Sequence, residues 1–81
     1  MCKSPAVAYY TRKIRSTSRQ KLYDEIEDAP LRKKDRYFLL DIVEGMTYKE
    51  LAGKYYKSEA AIYKWKRKVF ESMFRYDMQH I

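Results

Sequence analysis

The sequence predicts an all-α fold in which one small domain is built from four helices. Its 81 residues are enough for a single domain, and 46% of them are hydrophobic, which is enough to form one core. The chain contains only two Gly and two Pro. So few turn-forming residues favour a small number of helices over a β architecture with many turns.

Residues 1–17 are expected to lie outside this domain, which then spans residues 18–81. They show no clear apolar period, and Pro5 together with the cluster Ser16–Ser18 favours an arm or a loop. The chain up to residue 21 carries basic residues and no acidic ones. Two interpretations stay open: a basic arm that follows DNA, or a terminal segment without a role.

The first predicted helix spans residues 19–27. Leu22 and Ile26 lie four residues apart and mark its buried stripe. Either Ser16 or Ser18 can act as its N-cap, because a short hydroxyl side chain accepts a hydrogen bond from a free backbone N–H at a helix start.

The second predicted helix spans residues 31–44, with Pro30 suited to its first turn and Gly45 to its termination. Its exposed start is basic, from Arg32 to Arg36. The apolar side chains at helical spacing form its buried face: Phe38, Leu39, Ile42 and Val43.

The third and fourth predicted helices span residues 48–56 and 59–76. Thr47 and Glu50 form a capping box at the start of the third helix, and Ser58 caps the fourth. The fourth helix carries a core stripe of Ile62, Trp65, Val69 and Met73. A second apolar set is either late core or a dimer seam: Phe70, Met73, Phe74 and Met78.

The segment Thr47–Lys68 has the spacing of a helix-turn-helix. Two helices are joined by a very short turn, with small residues at Ala52 and Gly53 where the helices must approach each other. Ile62 and Trp65 then occupy the inner side of the second helix.

This segment resembles the DNA-binding helices in region 4 of bacterial sigma factors and in the output domains of LuxR-type regulators. It is also similar to the helix-turn-helix of small phage and mobile-element proteins, in which a run such as Tyr63–Lys66 is familiar. The resemblance covers about residues 31–76. It implies a DNA-binding domain whose helix 59–76 enters the major groove.

The sequence departs from these families at two places. Lys57 stands where they usually have an apolar turn residue, which leaves either Tyr56 as its substitute or a looser turn. Glu59 and Ala60 replace a basic and acidic pair of sigma region 4. Promoter reading of the sigma kind is therefore not expected.

Helix geometry selects the residues that would contact DNA, because the side of the fourth helix opposite its core stripe must face outward. Lys and Arg can donate to guanine, and a small apolar side chain can contact a thymine methyl. The candidates for base contact are Ala60, Tyr63, Lys64 and Arg67. The candidates for phosphate contact are Thr47, Lys49, Lys57, Lys66 and Lys68.

The charge balance favours an anionic partner. Eighteen Lys and Arg against eleven Asp and Glu give a net charge of +7 and an isoelectric point near 9.5. We therefore expect a sequence-specific regulator of transcription that binds double-stranded DNA, encoded by a phage or another mobile element, with dimerisation left open. A soluble basic protein without a nucleic-acid partner is the simpler alternative, and no motif for RNA binding is present.

A second class of function also fits the sequence. The same scaffold could serve as an adaptor or inhibitor that binds RNA polymerase or a host defence factor. The many Tyr and Met residues favour a protein interface, and the acidic segment Asp24–Asp28 could contribute to one.

An enzyme is not expected. Cys2 and His80 are the only residues of their types and lie near opposite ends of the chain, so they suggest neither a nucleophile–base pair nor a zinc site. No glycine-rich phosphate loop is present, and no cofactor or metal is predicted. The lack of a long apolar run predicts no membrane span, and a single cysteine suits the cytoplasm.

Overall fold

The computed structural model describes residues 5–79, which form five α-helices and no strand. The all-α class is confirmed. The helices are α1 (Pro5–Ser16), α2 (Arg19–Asp28), α3 (Lys33–Val43), α4 (Tyr48–Tyr55) and α5 (Glu59–Gln79). No helix within the described range is both long enough and apolar enough to cross a membrane.

The prediction of four helices is wrong by one. Residues 5–16 form a further helix, α1, where an arm or a loop was expected. Pro5 occupies the first position of α1, where a missing N–H removes no helical hydrogen bond. Ala6, Val7 and Tyr10 are buried on one side of this helix, because they pack against α5. Ala6 to Tyr10 form an unbroken apolar run, so no helical period stands out in the sequence, and α1 packs on α5 together with α3 and α4.

The other helices lie close to their predicted positions, with differences at five ends. α2 ends one residue late, at Asp28, and α3 ends one residue early, at Val43. α3 begins at Lys33 instead of residue 31, so Pro30 lies in the linker before the helix and not in its first turn. α4 ends one residue early, at Tyr55, and α5 continues beyond residue 76 to Gln79.

Local hydrogen bonds explain where several helices begin and end. Ser18 is the N-cap of α2 and accepts a bond from the backbone N–H of Lys21. Both bonds of the predicted capping box between Thr47 and Glu50 are present. Gly45 has a φ of +95° after α3, a conformation that glycine adopts without steric cost.

The core lies around α5, which packs against α1, α4 and α3, while α2 packs mainly against α3. The predicted core stripes are buried at most positions, and Ile42 and Trp65 are half-buried. The apolar side chains with almost no exposure come from all five helices: Tyr10, Leu22, Ile26, Phe38, Leu39, Leu51, Ile62, Phe70 and Met73.

The second apolar set of α5 belongs mainly to the core. Phe70 and Met73 are buried, and the ring of Phe74 packs edge-on against Tyr9 with a centroid distance of 5.1 Å. Met78 is the exception, with 44% of its surface exposed. One exposed methionine does not form an apolar seam.

Candidate nucleic-acid interface

A tight turn joins α4 to α5. Tyr56 adopts the left-handed conformation, with φ of 56° and ψ of 46°. The following N–H, of Lys57, donates to the carbonyl of Ala52 at 3.0 Å. The hydroxyl of Ser58 then accepts from the N–H of Ala61 at 3.1 Å, which confirms Ser58 as the cap of α5. These bonds fix the direction in which α5 leaves the turn.

The space beneath this turn is filled by aromatic rings and not by Tyr56, which is 95% exposed. Tyr55 and Trp65 pack edge-to-face at 5.0 Å, and Phe38 stacks on Trp65 at 3.9 Å. The hydroxyl of Tyr55 also donates to Asp41 at 2.6 Å. Tyr56 therefore does not replace the missing apolar turn residue.

The four side chains predicted to contact bases lie together on the outward side of the first half of α5. Ala60, Tyr63, Lys64 and Arg67 are all exposed, while Ile62 on the opposite side is fully buried. We call these four residues the outer face of α5. The Nε of Arg67 lies 3.3 Å from Oε1 of Glu71 in an exposed ion pair. Exposed ion pairs are weak, so Arg67 can leave Glu71 and bind another anion.

The candidates for phosphate contact separate into two groups. Lys49, Lys57 and Lys68 are exposed. Lys66 instead turns inward: its ammonium group donates to the hydroxyl of Tyr48 at 2.8 Å and lies 5.3 Å from the ring centre of Phe70. Because these contacts hold the ammonium group beside Tyr48 and Phe70, we expect Lys66 to contribute less to phosphate contact than the three exposed lysines.

Thr47 is exposed, but its polar groups already have partners. Its hydroxyl accepts from the N–H of Glu50 at 3.2 Å, and its own N–H donates to the Glu50 carboxylate at 3.0 Å. The hydrogen bond from the backbone N–H of Thr47 is the main cause that lowers the pKa of the Glu50 carboxyl. Because the backbone N–H of Thr47 already donates to the Glu50 carboxylate, we expect Thr47 to contribute little to phosphate contact.

One side of the outer face is bordered by a groove between α1 and the α4–α5 pair. Arg12 and Arg15 line this groove from α1, and Tyr48, Tyr63 and Lys66 line it from the other side. Both arginines are exposed and have no carboxylate partner among residues 5–79. Sequence reasoning missed their position beside this groove because it missed α1, although their spacing of three places them on one side of a helix.

The other side is bordered by cations from α3, the turn and α5. Arg32 and Lys34 lie at the start of α3, Lys57 lies in the turn, and Lys68 lies on α5. All four are exposed and lack a carboxylate partner within the described range. The sequence indicated that Arg32 and Lys34 are exposed, but only the packing of α3 on α5 brings them to this surface.

The acidic segment lies elsewhere in the domain. Asp24, Glu27 and Asp28 are exposed on α2, which packs mainly against α3. Glu25 instead pairs with Lys13 at 3.1 Å. Basic side chains therefore border the outer face of α5. The exposed acidic side chains of α2 lie on a helix that packs mainly against α3.

The described residues contain no group of three or more His, Cys, Asp or Glu side chains that could hold a metal ion. Cys2 and His80 lie outside the described residues. Comparison of the chain with protein-family models, with curated proteins and with solved structures found no match.

Proposed function

We propose that the protein binds double-stranded DNA through the outer face of α5 and acts as a sequence-specific regulator of transcription. The observation that carries the proposal is the arrangement of charge. An exposed face with donors for base edges lies between two borders of cations that have no carboxylate partner among residues 5–79. A short hydrogen-bonded turn holds that face in position.

The chemistry of each part suits one role in DNA recognition. Lys64 and Arg67 can donate to the acceptors of guanine in the major groove, which is wide enough for a helix, and Ala60 is small enough to contact a thymine methyl. Lys49, Lys57 and Lys68 can pair with phosphates, which position the protein without reading the sequence. We interpret α4 and α5 as the two helices of a helix-turn-helix.

Selection from a randomised pool of DNA duplexes, followed by sequencing, tests the proposal. We expect an enriched motif, and we expect the affinity for it to fall with salt as for about four to seven phosphate contacts. A triple variant of the outer face, Tyr63→Ala with Lys64→Ala and Arg67→Ala, should lose the motif. The absence of duplex binding by the wild-type protein at low salt would refute the proposal.

A protein partner is the second candidate, favoured by exposed aromatic side chains. Tyr37, Tyr56 and Tyr63 are each at least 43% exposed, and tyrosine is enriched at interfaces. The adaptor proposal predicts that the triple variant loses a protein partner and that the wild-type protein enriches no DNA motif. The same selection therefore separates the two candidates.

A further inference from the structure

Trp65 lies at the centre of the cations that border the α3 side of the outer face. Phe38 stacks on its indole with ring planes 9° apart, and its Nε1 donates to Asp35 at 2.7 Å. The ring is therefore held in place from two directions. The ammonium groups of Lys34 and Lys57 lie over it, at 5.5 Å and 5.8 Å from its centroid.

The two lysines come from different elements, and the fold brings their charges together on one aromatic ring. Arg32 lines the same shallow concavity, together with Asp35 and Ala61. Among the described residues that line it, Asp35 is the one acidic residue, and its Oδ1 accepts a hydrogen bond from Trp65. We call Arg32, Lys34 and Lys57 the Trp65 cluster.

Like charges that share one small surface repel each other, and the ring together with the single carboxylate of Asp35 offsets only part of the repulsion among three cations. A bound anion would offset the rest. Ammonium groups act as point charges toward phosphate, while a guanidinium can donate two parallel hydrogen bonds to it. The cluster therefore has the chemistry of a phosphate site.

We infer that the Trp65 cluster binds a backbone phosphate of the same DNA duplex whose bases contact the outer face of α5. The inference rests on the proposed function and adds to it a contact made by α3. Lys57 lies two residues before the start of α5, and Ala61 lies on the first turn of that helix. A phosphate held here would border the groove that α5 enters, and would fix how deeply the helix is placed.

Trp65 provides a direct reporter, because it is the one tryptophan of the chain. A short duplex carrying the selected motif should change its fluorescence with a saturable dependence on concentration. We expect the double variant Lys34→Ala with Lys57→Ala to bind that duplex at least tenfold more weakly. The slope of the logarithm of affinity against the logarithm of salt concentration should become shallower by about one, the value for one lost phosphate contact.

The control is a double variant with the same change of charge elsewhere, Lys21→Ala with Arg75→Ala. Both control residues are exposed and lack a carboxylate partner among residues 5–79. Lys21 lies on α2, and Arg75 lies ten residues beyond Trp65 on α5, which corresponds to about 15 Å. We expect the control to keep the affinity and the salt slope of the wild-type protein, and circular dichroism to show that both variants are helical.

Two results would overturn the inference, and they differ in what they say about the proposed function. If the Lys34 and Lys57 variant binds the duplex with the affinity and salt slope of the control, the phosphate site is refuted while DNA binding stands. If the wild-type protein binds no duplex at low salt, the proposed function fails and the site fails with it.

Discussion

The hydroxyl of Tyr9 donates a hydrogen bond of 3.1 Å to Oδ2 of Asp77, a side chain buried near the end of α5. Lys13 pairs with the same carboxylate oxygen and with Glu25, so this network joins α1 to both α5 and α2. The neighbouring Tyr10 is fully buried against Phe70, and its hydroxyl has no hydrogen-bond partner among residues 5–79. Adjacent tyrosines of one helix therefore have opposite polar environments.

The first prediction follows from that contrast. Tyr10→Phe should stabilise the fold by about 1 kcal/mol, because it removes a buried hydroxyl that gains no hydrogen bond and keeps the ring that packs on Phe70. Tyr9→Phe is the matched control and should destabilise by about 1 kcal/mol, because it deprives Asp77 of a donor. Urea unfolding of both variants measures the difference. Equal effects of the two substitutions would contradict the structure.

The second prediction concerns alkaline pH. Burial foremost raises the pKa of Tyr10 and of Tyr55, each from an ordinary value of 10.0. Burial alone would lower the pKa of Lys13, but its hydrogen bonds to Asp77 and Glu25 outweigh it, and the net shift is upward. The folded state therefore holds more protons than the unfolded state above about pH 10, and stability must fall as the pH rises through that range.

Unfolding measured between pH 8 and 11 at constant ionic strength checks this dependence. We expect the free energy of unfolding to be nearly constant up to about pH 9.5 and to decrease above it. Tyr10→Phe should flatten the decrease, since it removes one of the contributing groups. A free energy that rises above pH 10 would show that the sign is wrong.

The third prediction uses the left-handed backbone of Tyr56. A residue with a Cβ pays about 1–2 kcal/mol in this conformation, and glycine does not. The tyrosine ring is 95% exposed and contributes little packing. Tyr56→Gly should therefore be more stable than Tyr56→Ala by about 1 kcal/mol, as measured by thermal unfolding. A more stable alanine variant would mean that the turn is not left-handed in solution.

Much of this fold could be predicted because its helices carry local signals. The capping box at Thr47 and the glycine at position 45 act through hydrogen bonds and dihedral angles within a few residues. A short stretch of sequence is therefore enough to predict them. The buried positions of α5 can likewise be predicted from the helical spacing of its apolar residues. The outer face could be predicted as the complement of that stripe.

The remaining features depend on contacts between distant residues. α1 is a helix because Tyr10 packs on Phe70 and Lys13 pairs with Asp77, and neither contact has a local signature. Lys66 turns inward because Tyr48, on another helix, offers a hydroxyl. The Trp65 cluster exists because α3 packs beside the turn, which no spacing along the chain indicates.

The fourth prediction tests whether Arg67 contacts the bases of DNA. If its guanidinium contacts a base edge, Arg67→Ala should weaken binding to the selected duplex by about 1–3 kcal/mol and broaden the enriched motif at one position. Glu71→Gln is the control, because it releases Arg67 from its ion pair without removing the guanidinium. An unchanged motif in the Arg67 variant would exclude this residue from base contact.

The fifth prediction compares two lysines that lie two residues apart on α5. Lys64 is exposed on the outer face, whereas Lys66 donates to Tyr48 and its ammonium lies 4.9 Å from the centre of that ring. Lys64→Ala should leave the unfolding free energy within about 0.5 kcal/mol and weaken DNA binding. Lys66→Ala should cost about 1 kcal/mol of stability and leave the salt slope of binding unchanged. Chemical unfolding and duplex titration on the same two variants separate these roles, and a lower salt slope for Lys66→Ala would place this residue among the phosphate contacts.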